Sequence, residues 1–196
     1  MCDYVQVYVD YCVRAAEGAE EVFIEHRVNF SASIEVDDGQ AAGTADFIAL
    51  FTDSATVVDL KFGQSPKGIK YADGSQLKRY ALGVREAFQM LTDFERWKLV
   101  IVQPRLDHID ELELTDVELT SYQELARKSA ALVREAIAAQ DSPDLDDAAW
   151  QEAYLNPGEH CVKNYCKARG SCERLAKHVA ATVLATNVAD MEDLTD

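Results

Sequence analysis

Basic residues are scarce in this chain. Its 196 residues hold 19 lysines and arginines against 35 aspartates and glutamates, a formal charge of −16 at pH 7. That balance argues against passive attraction to nucleic acid through a broadly basic surface, because counterion release needs cations facing phosphates. Three accounts of the acidity stand: an acidic outer face around a local basic groove, a protein from a salt-rich host, or a protein that binds no nucleic acid. No apolar run approaches the ~20 residues that cross a bilayer, so no membrane partner is expected. No basic-then-apolar leader opens the chain, since Asp3 and Asp10 interrupt it, and the expected compartment is the cytoplasm. Internal repeats and low-complexity tracts are also missing.

What is present suits one domain, or one domain with an appendage. The expected division is a core over residues 1–140, then an acidic connection, a cysteine cluster and a C-terminal helix over 141–196 in the same structural unit. Residues 3–17 suit an amphipathic helix with Val5, Val9, Cys12 and Val13 on one side. Glu21 to Ser31 alternates as a strand, which would put Val22, Ile24, His26, Val28 and Phe30 on one face. Ala42–Phe51 and Ala55–Phe62 suit a hairpin turning at Thr52-Asp53-Ser54. A loop over 63–68 and a helix over Ser75–Thr92 follow, with Asp73 or Ser75 as the expected cap. Trp97–Gln103 is a buried strand by its continuous apolar run. Glu111–Thr120 is ambiguous, Ser121–Gln140 is a helix by composition, and a last helix runs from Glu173 to about Val188, ahead of a frayed tail. The fold class expected is α/β: a small mixed central sheet flanked by helices, with a cysteine-rich helical appendage.

Two carboxylates and a lysine stand out within that frame. Asp59 and Lys61 are two apart on a strand and share a face. Such a pair is either a salt bridge on an exposed face or a functional one, since an unpaired buried charge is costly. Asp46 lies thirteen positions before Asp59, and a hairpin closing near Asp53 sets the two almost opposite. Facing carboxylates repel unless a cation lies between them or one takes a proton. With a backbone carbonyl they make an oxygen-rich site suited to Mg²⁺ or Mn²⁺, and Lys61 would orient a water or stabilise charge on a phosphate. Gln76 and Tyr80, four apart, share a helical face that could touch substrate or brace the carboxylates, or be an ordinary half-buried face.

The order Gly43-x-x-Asp46, Asp59-x-Lys61, Gln76-x-x-x-Tyr80 resembles the PD-(D/E)XK nuclease superfamily in its RecB-like branch. The stretches VFIEHRVNFS, GTADFIAL, VVDLKFG, SQLKRYALG, VIVQPRLDHID and PGEHCVKNYCKARGSC resemble a phage and prophage family of RecB-like presumed exonucleases. The resemblance implies a restriction-endonuclease-like core, with Asp46, Asp59 and the Leu60 carbonyl as metal ligands and Lys61 as the catalytic lysine. It makes Gln76 and Tyr80 the helix motif beside the site, and Glu25 an acidic strand position near the metal. It also implies DNA as substrate, a phage recombinase or strand-annealing protein as partner, and the possibility of an oligomer. One departure is plain: the branch's Gly-Thr-x-x-His pattern on an upstream helix has no counterpart before residue 20, and His26 suits a core histidine better. The alternatives are a catalytically impaired relative that binds nucleic acid or protein, and an acidic protein that mimics DNA.

Three of the five cysteines crowd at Cys161, Cys166 and Cys172. In a reducing compartment that spacing favours a metal over disulfides, with bare thiols as the other reading. His160 or Cys12 could complete a zinc set. By resemblance, one early and three late cysteines imply a 4Fe–4S cluster, with Cys2 or Cys12 as the early ligand.

Overall fold

The computed structural model describes residues 2–63, 74–140, 146–163 and 166–192. Two compact units are present, Met1–Ala131 and Leu132–Asp196. The architecture is α/β: a five-stranded mixed sheet packed by helices, followed by a helical C-terminal region.

In the first unit, helix α1 (Cys2–Ala15) precedes strands β1 (Glu21–Asn29), β2 (Ala42–Leu50) and β3 (Ser54–Leu60). Helix α2 (Ser75–Phe88) leads to β4 (Arg96–Gln103) and β5 (His108–Thr115). The sheet order is β1-β2-β3-β4-β5. All neighbours are antiparallel except β3 and β4, which are parallel and joined through α2.

Each helix covers one face of the sheet. On one side Leu77, Ala81, Leu82 and Val84 of α2 pack with Val28, Ile48, Val57, Leu99 and Ile101, all essentially inaccessible. On the other, Tyr11 and Cys12 of α1 pack with Phe47, Ala49, Val58, Val100 and Val102. Because β3 and β4 are covered on both faces, they need the near-continuous apolar runs seen in the sequence. A tight seam lies at Gly83, where a Cβ would stand 2.8 Å from Val28 Cβ. Only hydrogen lets α2 come that close to β1.

Three local expectations change. The buried face of α1 is Tyr8, Tyr11, Cys12 and Ala15, whereas Val5, Val9 and Val13 are exposed. A tyrosine can bury its ring while its hydroxyl keeps a partner, and Tyr11 donates to Glu111 Oε1 at 2.5 Å. In β1, Phe23 and not Val22 or Ile24 faces the α2 core, and Ile24 is 74% exposed. Glu25 has a positive φ of 51°, which interrupts the alternation, so His26 joins Phe23 and Phe88 in one ring cluster. The cap of α2 is Gly74, with no side-chain bond; Asp73 and most of the 63–68 loop lie outside the described residues.

The ambiguous Glu111–Thr120 segment splits at a capping box. Thr115 N and Oγ1 donate to Glu118 Oε2 at 2.8 and 2.9 Å, and Glu118 N donates back to Thr115 Oγ1. Strand β5 therefore passes directly into α3 (Asp116–Gln140). At the start of α3 a polar knot ties the layers together. Asp116 accepts from Arg85 Nη1 and from the indole Nε1 of buried Trp97, both at 3.0 Å. Gln123 reaches Ser33 O, and Ser33 donates through N and Oγ to Glu86.

The second unit holds the end of α3 with α4 (Asp147–Tyr154), α5 (His160–Lys163) and α6 (Glu173–Glu192). Helix α4 falls in what composition suggested was a plain acidic connection. Asp146 caps it by accepting from Ala149 N, and Trp150 Nε1 donates to Ala136 O on α3. Helix α6 runs through the residues expected to begin the frayed tail, of which 193–196 lie outside the described residues. No helix among the described residues is long and apolar enough to cross a membrane.

Candidate active site

The site lies where the β2–β3 ladder stops. The two strands pair from Leu50 opposite Ala55 to Phe47 opposite Val58. One step further in that register Asp46 stands opposite Asp59, but main-chain pairing does not continue. Instead the Asp46 carboxylate takes the Leu60 amide, with Oδ2 2.7 Å from Leu60 N. A side chain from β2 thus replaces a backbone acceptor, and the strands part at this point.

The same row extends to the edge strand. Ile24 pairs with Phe47 and His26 with Ala45, so Glu25 stands opposite Asp46. Glu25, Asp46 and Asp59 therefore occupy one register row across three strands. Glu25 is exposed, and its charge and that of Asp46 both bear on Tyr8 of α1.

Asp59 is the buried member, 3% exposed. Its Oδ1 accepts from Gln76 Nε2 at 3.2 Å, and the same Gln76 nitrogen lies 2.9 Å from the Tyr80 hydroxyl. Its Oδ2 faces the Lys61 ammonium at 2.6 Å, an ion pair without ordinary hydrogen-bond angles. Burial pushes the Asp59 carboxyl above its usual value, Lys61 pulls it down and the Asp46 charge pushes it up again, for a net rise. Lys61 is 38% exposed, so one end of the pair meets solvent and the other does not.

The structure brings Asp46, Asp59, Leu60, Lys61, Gln76 and Tyr80 together. Glu25 shares their register row. Sequence reasoning missed Tyr8. Burial, a hydrogen bond with Cys12 and the charges of Asp46 and Glu25 all hold its phenol protonated, so it is a donor on the side of the sheet opposite α2. The helical spacing Tyr8, Tyr11, Cys12, Ala15 was the signal that would have found it.

A divalent cation fits this donor set in one respect: among the described residues, the buried Asp59 Oδ2 is met only by a cation, Lys61. Among the described residues no group of three or more His, Cys, Asp or Glu side chains is placed to hold a metal. Ligation here would rest on two carboxylates and main-chain oxygen or water, which suits Mg²⁺ or Mn²⁺ better than zinc.

The cysteines lie elsewhere. Cys161 and Cys172 are half-buried and Cys166 is exposed. Cys172 Sγ accepts from Leu175 N at 3.4 Å at the start of α6. As placed, the three thiols do not form a metal-holding group, and the Cys2 side chain lies outside the described residues.

Among solved structures, one described as "Crystal structure of SSO0001" matches 63% of this chain at 17% identity, with a TM-score of 0.29. The match spans 56% of that chain, so this protein covers little more than half of its length. So distant a likeness assigns neither a residue nor an activity. Residues 1–196 match throughout the family model described as "Protein of unknown function (DUF2800)", and the chain belongs to that family.

Proposed function

We propose that this protein is a Mg²⁺- or Mn²⁺-dependent nuclease that hydrolyses phosphodiester bonds in DNA. One observation carries the reading: a carboxylate only 3% exposed, Asp59, holds a lysine ammonium at 2.6 Å beside a second carboxylate from the next strand. A buried charge is expensive, and a fold keeps one where chemistry needs it. The motif order and its resemblance to RecB-like exonucleases support DNA over other phosphodiesters.

The bound metal would polarise a phosphoryl oxygen and lower the pKa of a water. Asp46 and Asp59 would hold it, with Leu60 O as a further donor. Lys61 would orient the attacking water and offset charge building on the phosphate. Gln76 fixes the Asp59 oxygen it touches, and Tyr80 holds Gln76 in place.

Titrating Mg²⁺ or Mn²⁺ against linear duplex and single-stranded DNA tests this. Degradation should require metal and should disappear in Asp59→Ala and in Lys61→Ala. Cleavage that survives both changes would end the proposal.

A second reading has its own observation. The Asp46 carboxylate is already bonded to Leu60 N, which is what a relative without metal would also show. Calorimetry with Mn²⁺ separates the two, because a purely binding protein gives no heat at this site. The cysteine segment enters the proposal only as a structural iron–sulfur or zinc site, supported by its spacing. Iron and zinc analysis of anaerobically purified protein decides it. A recombinase or annealing partner rests on the resemblance alone.

A further inference from the structure

The few basic residues of this chain are unevenly placed. Residues 61–79 hold five of them, Lys61, Lys67, Lys70, Lys78 and Arg79, against the single acid Asp73. The chain as a whole carries −16. Lys61, Lys78 and Arg79 are among the described residues.

Lys78 and Arg79 stand among the first five residues of α2. Helix amides at an N-terminus carry partial positive charge, so cations there are unfavourable and acids are the usual choice. Here the first turn has no acid, and Gly74 gives no side-chain cap. Arg79 folds back onto Ser75, its Nε donating to Ser75 O and its Nη2 to Ser75 Oγ. Lys78 lies over the Tyr122 ring. Gln76 touches Asp59, which puts the N-terminal end of α2 beside the Asp59–Lys61 pair, while Lys78, two residues on, is turned toward α3.

A further cation stands at the neighbouring strand end. Arg105 follows β4, and its guanidinium lies 5.5 Å from the ring centre of Phe62, the residue after Lys61. Strands β3 and β4 are parallel, so both carry these residues at their C-terminal ends, the end where open α/β sheets place ligands. Cations collected against a helix dipole, in a chain otherwise so acidic, are a local conflict with stability. Such conflicts mark binding sites.

We propose that Lys78, Arg79 and Arg105 form a backbone track for nucleic acid, seating phosphates to either side of the one that meets Lys61. A repeating polyanion fits, because a lone phosphate would need only Lys61 and its immediate surroundings. The assignment of the central phosphate rests on the nuclease reading, but the track itself is measurable without cleavage.

The test is fluorescence anisotropy with a labelled single-stranded oligonucleotide in EDTA, across a salt series. Lys78→Ala/Arg79→Ala should weaken binding roughly tenfold and flatten the salt slope by about 1.4, or 0.7 per lost contact. Arg105→Ala should weaken it less and in the same direction. Arg79→Lys, which keeps the charge, should bind like the wild type. Arg96→Ala, at the other end of β4, should change nothing. Melting curves confirm that each variant is folded.

Wild-type protein that fails to bind overturns the track. So do charge-removing variants that bind as tightly as the wild type, or an Arg96→Ala loss as large as theirs. A wild type that cleaves with metal while these variants bind unchanged sinks the track and leaves the nuclease reading standing. A wild type that binds through these residues but never cleaves does the reverse.

Discussion

The ring of Tyr80 lies so close to Gly43 that a Cβ at position 43 would stand 2.5 Å from Cε1. Glycine is needed there for space, not for an unusual backbone angle. Gly43→Ala should push Tyr80 off Gln76 and cost about 1–3 kcal/mol. Tyr80→Ala removes the obstacle, so the two changes together should cost clearly less than their sum. A double-mutant cycle in urea measures this coupling.

Asp116 joins Arg85 to the buried indole of Trp97. Asp116→Ala strands the indole N–H and leaves a largely buried guanidinium without its carboxylate. The expected loss is about 2–3 kcal/mol, read as a lower urea midpoint with an unchanged m-value. Asp116→Asn keeps an acceptor and should lose less.

Metal binding to Asp59 should stabilise the folded chain. At a hundredfold excess of Mn²⁺ over its Kd the gain is about 2.7 kcal/mol. Asp59→Asn should melt at the same temperature with and without Mn²⁺. A shift that persists in the variant would place the metal elsewhere.

The acid limb of stability should involve Glu111. Partial burial raises its carboxyl, but the Tyr11 hydroxyl and the Lys98 ammonium outweigh that and hold it below its usual value. A depressed folded pKa means a contribution fully present above the unfolded value of 4.5, lost as pH falls through the folded one. Glu111→Gln should therefore lower the melting temperature at pH 7 and have little effect near pH 3. The opposite trend would show that α1 is not anchored through Tyr11.

Much of this site is written locally in the chain. Asp59 and Lys61 share a face because strand geometry leaves no alternative, and the distance to Asp46 follows from a tight hairpin at residues 51–53. Gln76 and Tyr80 meet because they are one helical turn apart. What escaped had causes beyond local pattern. The inward face of β1 depends on the left-handed backbone of Glu25, which alternation of residue types does not announce. The valines of α1 looked like its buried stripe, yet the sheet took the tyrosines, whose hydroxyls find partners only in the folded protein. The capping box at Thr115 and Glu118 was visible in the sequence, but a strand running straight into a helix leaves no loop residues to mark the boundary. Helix α4 was obscured by its acidic composition, although Asp146 is an ordinary cap.

The bond from Leu60 N to Asp46 makes the two aspartates unequal targets for mutagenesis. Among the described residues, no main-chain group depends on the Asp59 side chain, so position 59 can be neutralised without stranding one. Truncating position 46 deprives a strand-end amide of its acceptor, so inactivity there would conflate a missing ligand with a frayed sheet. Amide hydrogen exchange at residue 60 would tell those two failures apart.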